Sequence, residues 1–403
     1  MLLKSEIQQI AKIQQESVEV KNTGLQREIF SELKVSSTHA LIISGVRRCG
    51  KSTLLYQLLK RKYNDAFYFN FEHPSLYNFE KTDFQKLDEI IKESGKQILF
   101  FDEIQIIEDW ERFIRLKLDE NYTIIITGSN ASLLSRELGT KLTGRHITKE
   151  LFPFSFQEFC SFCDLQKTEQ ALLSYLQTGG FPEYVKTRDE DNLTQLFDDI
   201  LVRDIAIRYG IRDLKTLKSL ALFIISNTGK YVTGNKLKAL FNVGSTSTIM
   251  EYMSHLEQSY LLFFVQKFSY SVRKQMINPR KVYTIDTGLV NVNSLSFSKD
   301  FGRKLENSVF LHLRRQYKDI YYYAEKGECD FIVVEKGEVT DVIQVCYQLT
   351  QDNLDRELNG LFEALHFFNR DEGSIITLNQ SDRFEKDGKV AKVVPFYNFV
   401  TED

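Results

Sequence analysis

Gly45-Val46-Arg47-Arg48-Cys49-Gly50-Lys51-Ser52 has the spacing of a loop that wraps phosphate groups. Glycines at both ends let the backbone curl so that its N–H groups point inward, and a helix starting at the lysine adds its positive end. The apolar run over 40–45 before the loop and the helical stretch TLLYQLLKRK after it supply the required strand–loop–helix context. Lys51 is expected to neutralise the β- and γ-phosphates of ATP and Ser52 to ligate Mg²⁺, with the amides of 45–53, through Thr53, lining the nucleotide.

A second acidic element belongs with the first. ILFFDE ends in Asp102 and Glu103 at the carboxyl end of an apolar run, where open α/β sheets place their ligands. Asp102 is assigned to the Mg²⁺ shell and Glu103 to the attacking water. TIIITGSN puts Ser129 and Asn130 beyond another such run. Asn130 is assigned to the γ-phosphate, with helix capping as the alternative use of both residues. Arg145 is the arginine assigned to charge developing in the transition state; Arg47, Arg48 and Arg203 are the other candidates.

These groups need a scaffold that brings run ends together. Five short apolar runs, at 40–45, 66–71, 98–103, 123–129 and 146–155, alternate with helical stretches. Continuous apolar runs imply strands covered on both faces, so 1–160 is expected to be an α/β domain with a mostly parallel sheet. Residues 2–34 in front of it carry helical spacing through Ile7, Ile10 and Ile13, then Leu25, Ile29 and Leu33.

Beyond 160, a helical region over 161–290 contains a winged-helix-like module at 217–285: three helical stretches, then two β-rich ones. Nine Lys and Arg against Glu251 and Glu257 give this module a net charge of +7 in a chain of net −3. That local excess suits duplex DNA, with a protein partner as the alternative for the same face. Residues 291–403 mix strands and helices and are expected to form an α+β domain resembling a degenerate restriction endonuclease. Such nucleases hold a metal with an Asp and an acidic residue or Gln on paired strands, beside a lysine. Glu306, Asp330 and Gln344 occupy those places, but Cys346 stands where the lysine belongs, so this part is expected to be non-catalytic. Lys326 and Lys336 are the substitutes nearest in sequence.

Composition narrows the rest. Five scattered cysteines, an odd number, fit a reducing compartment, and no run approaches the ~18 apolar residues of a transmembrane helix. The chain is expected to be cytoplasmic and to have no membrane partner. Cys160 and Cys163 have the spacing of a zinc pair but lack a second pair, and the six histidines form no metal motif. The sequence does not set an oligomeric state.

Taken in series, GVRRCGKSTLL, FFDEIQ, IIITGSNASLL, LTGRH, LFPFSFQEF, GGFPEY, RDI, KVYTIDTGL, LEN and ECDFIV resemble a large prokaryotic family. Its members are AAA-like P-loop ATPases of the signal-transducing NTPase branch with an appended C-terminal domain of uncharacterised function. The resemblance implies Mg²⁺-dependent ATP hydrolysis driving a switch on the C-terminal modules. A nucleotide-gated DNA binder with little turnover and an ATP-coupled nuclease are the alternatives.

Overall fold

The computed structural model describes residues 1–129, 142, 144–294 and 300–401. They form two compact units, 1–151 and 152–403.

The first unit is built on five parallel strands: β1 (Ala40–Ser44), β2 (Ala66–Asn70), β3 (Ile98–Asp102), β4 (Thr123–Gly128) and β5 (His146–Glu150), in spatial order β2-β3-β4-β1-β5. The expected runs thus all become strands. The central strands β1, β3 and β4 bury almost every residue, as a sheet covered on both faces requires. Because β1 lies between β4 and β5, the order reverses beside it, opening a crevice at the carboxyl ends of the strands. Helix α1 (Lys4–Val20) buries Ile7, Ile10, Ala11 and Val18, and joins a core with α3 (Phe84–Ser94) and α4 (Trp110–Asp119). The helical spacing expected to continue to Leu33 does not. Residues after Val20 leave the helix, and only Glu28–Ser31 turns again, as a 3₁₀ segment. Gly24, at φ +55°, marks the break.

The second unit contains a nine-stranded mixed sheet. Its strands are β6 (Tyr231–Val232), β7 (Leu262–Lys267), β8 (Arg280–Thr284), β9 (Asp319–Ala324), β10 (Glu328–Glu335), β11 (Glu338–Val345), β12 (Glu372–Thr377), β13 (Asp382–Lys386) and β14 (Lys389–Pro395), in order β13-β14-β12-β11-β10-β9-β7-β8-β6. Helices Leu214–Ile225, Gly234–Phe241 and Thr246–Gln258 surround β6 and precede β7. The parallel pair β7–β9, with Gln266 opposite Tyr321, carries the sheet across the boundary expected at 290/291. The helical module and the C-terminal strands therefore share backbone hydrogen bonds.

Two of the recurrent motifs in this unit meet at a buried carboxylate. Asp286 accepts from the Gly180 N–H (2.5 Å) and the Leu289 N–H (2.9 Å). A Cβ on Gly180 would sit 2.2 Å from the Phe154 carbonyl oxygen, and one on Gly288 would sit 2.0 Å from that of Thr178. GGFPEY and YTIDTGL thus hold two distant segments together, a structural role. Burial pushes the Asp286 carboxyl up to about 6, against the pull of its backbone donors.

Candidate functional site

The loop 45–50 leaves the carboxyl end of β1, and α2 (Lys51–Arg61) begins at its end. Gly50 has φ +102°, a conformation that glycine reaches without strain, and Arg48 has φ +62°. Gly45 is needed for a different reason. A Cβ there would lie 2.1 Å from the carbonyl oxygen of Leu151, whose N–H in turn bonds Ser44 (2.7 Å). The chain leaving β5 therefore presses against the start of the loop.

Lys51 is 5% exposed, and its ammonium donates to the carbonyls of Gly45 (3.0 Å) and Val46 (3.1 Å). Its nearest acidic partner is Glu103, at 3.7 Å. A buried ammonium folded back on its own loop, at the first residue of a helix, suits a polyphosphate chain.

The acidic run lies alongside. Asp102 is fully buried at the end of β3; its Oδ2 accepts from the Tyr68 hydroxyl (3.2 Å), its Oδ1 from the Thr127 hydroxyl, and Ser52 bonds it as well. Burial, then the adjacent Glu103 charge, pushes the Asp102 carboxyl up to about 6, while Thr127 and Ser52 pull it back. Glu103 takes a left-handed turn, φ +55°, held by its N–H on Thr127 Oγ1 (3.2 Å) and by the Gln105 amide on its carboxylate. Ser52 and Asp102, oriented by these hydroxyls, fit a Mg²⁺ ion.

The structure therefore brings Lys51, Ser52, Asp102 and Glu103 together. Thr53 lies in the first turn of α2. Cys49 packs as a buried thiol against the Leu151 carbonyl (3.3 Å), and burial raises its pKa. Arg47 pairs with Glu72 at 3.2 Å. Ser129 is buried just past β4, and Asn130 lies outside the described residues. Arg145 is not at the loop. Its carbonyl accepts from Ala40 N–H at the amino end of β1, and its guanidinium pairs with Asp119 at 2.7 Å. Five residues of strand put it roughly 15 Å from the phosphate loop. Arg203 belongs to the second unit, where it is exposed and pairs with Asp199. Two residues that were not expected serve the site. Thr127 bridges Asp102 and Glu103, and its polar side chain in an apolar run was the available signal. Arg27 reaches the loop from the N-terminal segment, with nothing in its surroundings to mark it.

The second unit holds another charged cluster. The Lys281 ammonium, 3% exposed, lies 2.6 Å from Asp330, 2.6 Å from Glu328 and 3.4 Å from Glu306. Tyr283 donates to Glu306 (2.7 Å), Asp330 N–H to Gln344 (3.1 Å), and Gln344 to Glu357 (2.5 Å). Burial and the Asp330 charge raise the Glu306 pKa, while three carboxylates hold Lys281 well above its usual value. The lysine at Asp330 is thus Lys281 from β8, in place of Lys326 or Lys336. It also leaves the basic surface expected of 217–285. Lys218 and Lys267 are paired there too, with Asp198 (2.6 Å) and Glu325 (2.9 Å).

Family models match two stretches of the chain. Residues 37–160 match the model of an AAA domain, and residues 169–300 match a domain of unknown function (DUF8612). Among solved structures, AMPPCP-bound DnaA from Aquifex aeolicus aligns at TM-score 0.28 and 14% identity, over 62% of this chain and 88% of its own. The S. cerevisiae Hsp104:casein complex aligns at TM-score 0.30 and 15% identity, over 62% and 49%. At those scores neither bears on function. Uncharacterized protein MJ1544 of Methanocaldococcus jannaschii is 34% identical over 91% of this chain and 89% of its own length. An uncharacterized protein of Haemophilus influenzae is 31% identical over 86% and 91%. Likeness of that extent shows that the chain belongs to the same family as these two proteins.

Proposed function

We propose that the chain binds ATP with Mg²⁺ and hydrolyses it, and that the bound nucleotide's state switches what residues 152–403 do. The observation that carries this is the buried Lys51 ammonium, turned onto the loop carbonyls with Ser52, Asp102 and Glu103 beside it. Mg²⁺ would supply charge neutralisation at the β- and γ-oxygens. Lys51 binds the phosphates, the loop amides orient them, Asp102 and Ser52 hold the cation, and Glu103 accepts the water's proton.

The test is ATP binding and turnover in two variants. Lys51→Ala should lose binding. Glu103→Gln should bind ATP as well as wild type and turn it over at least ~100-fold more slowly. Unchanged turnover in Glu103→Gln removes the glutamate from the reaction.

A second reading, nucleotide-gated DNA binding, is favoured by one observation. The helices of 214–258 and the strand order β6-β8-β7, with residues 268–279 as the connection between β7 and β8, support a winged-helix reading. Lys236, Arg273 and Lys274 are exposed on it, with Lys238 half-buried. Removing these four together should weaken duplex binding and flatten its salt dependence. Absence of DNA binding at low salt favours a protein partner.

A further inference from the structure

The segment between α1 and β1 lies along α2, the helix that opens on Lys51 and Ser52. The Gln57 amide donates to the carbonyls of Thr23 and Leu25, both at 2.6 Å. Lys60 donates to those of Glu19 (2.7 Å) and Lys21 (2.8 Å), and Arg61 bonds Gln26. At the end of this strap Arg27 is 5% exposed, and its Nη1 donates to the carbonyl of Cys49 at 2.8 Å. A long charged side chain is rarely so enclosed without a specific task.

The geometry of one peptide gives that task. The Cys49–Gly50 peptide is trans, so its carbonyl and its N–H lie antiparallel in the peptide plane. With the carbonyl tied to Arg27, the Gly50 N–H is fixed in the opposite direction. Gly50, at φ +102°, has no Cβ to resist rotation of this peptide. A guanidinium hydrogen bond on the carbonyl also polarises the peptide and strengthens its N–H as a donor.

We propose that Arg27 is a positioning residue for the phosphate loop: it locks the Cys49–Gly50 peptide with its N–H turned toward the bound phosphates. The inference rests on the ATP-binding reading. Arg27 touches no substrate in this scheme; it acts through Gly50.

The experiment compares wild type, Arg27→Met and Arg27→Lys for ATP, ADP and adenosine affinity, alongside apo-protein thermal unfolding. Affinities are measured well below the lowest unfolding midpoint. Arg27→Met should weaken ATP and ADP at least about tenfold, the scale of a lost charged hydrogen bond, and leave adenosine unchanged. Arg27→Lys, which keeps a charged donor, should recover most of the loss. A folded Arg27→Met chain that binds ATP like wild type overturns the proposal, even if its unfolding midpoint has dropped, because that pattern is purely structural. If Arg27→Met does not fold, Arg27→Gln takes its place and is read the same way. A wild-type chain that binds no ATP overturns the function reading and this inference with it. Wild-type binding with indifferent Arg27 variants overturns this inference alone.

Discussion

Replacing Lys281 with methionine keeps the stem and removes the charge, leaving Glu306, Asp330 and Glu328 facing one another. At an effective dielectric of ~20, each 2.6 Å contact is worth about 6 kcal/mol of gross attraction. Glu328 is 46% exposed, so its share is heavily screened; Asp330 and Glu306 are 9% and 14% exposed and keep most of theirs. Against this stands the cost of burying the ammonium, several kcal/mol. Buried pairs broken from one side lose about 3–5 kcal/mol, because the surviving charges stay buried. Urea unfolding of the full chain at pH 8 should therefore show Lys281→Met destabilised by about that amount. At pH 5.5 the loss should shrink, since Glu306, pushed up to about 7 by burial and the Asp330 charge, then carries a proton. Adding Glu306→Gln and Asp330→Asn should restore much of the stability at pH 8. A loss below ~1 kcal/mol at pH 8, or one that grows on acidification, would refute the view of Lys281 as the counter-charge of this cluster.

Further outcomes follow from other contacts. Gly45→Ala should lower both stability, by about 1–3 kcal/mol, and ATP affinity, because its Cβ would overlap the Leu151 carbonyl; nucleotide titration with denaturant melts checks both. Asp286 has a native pKa near 6 against an ordinary 3.8, so the native state takes up this proton first as pH falls. Wild type should therefore gain on Asp286→Asn by up to about 3 kcal/mol between pH 7 and pH 4, measured as the difference between their unfolding free energies. Thr127→Val should slow ATP turnover more than it weakens ATP binding, since it frees Asp102 and Glu103 together; steady-state kinetics alongside binding separates the two.

Much of the first unit was legible in sequence because its signals are local. Five apolar runs became five strands, and the glycines and Lys51 declare their chemistry within eight residues. Arg145 shows where locality fails. Arg145 stands just before β5, and parallel strands put every strand's start at the end opposite the phosphates. Lys281 shows the same limit differently. The missing lysine was sought within a few residues of Asp330 and Gln344, whereas the sheet supplies one from 49 residues upstream. The boundary expected at 290/291 followed composition, which does not register that β7 and β9 pair. Arg27 had no sequence signal, because its task is defined by the carbonyl it meets.

The shared sheet of the second unit also sets an order of events during synthesis. The first unit has all five of its strands once residue 150 has left the ribosome, and its contacts are local enough for it to fold then. β7 emerges with an edge that only β9 covers, more than fifty residues later, and β12 waits for β14, which ends at Pro395. During that interval the nascent chain presents unpaired strand edges, so synthesis leaves the second unit open to edge-to-edge association for longer than the first.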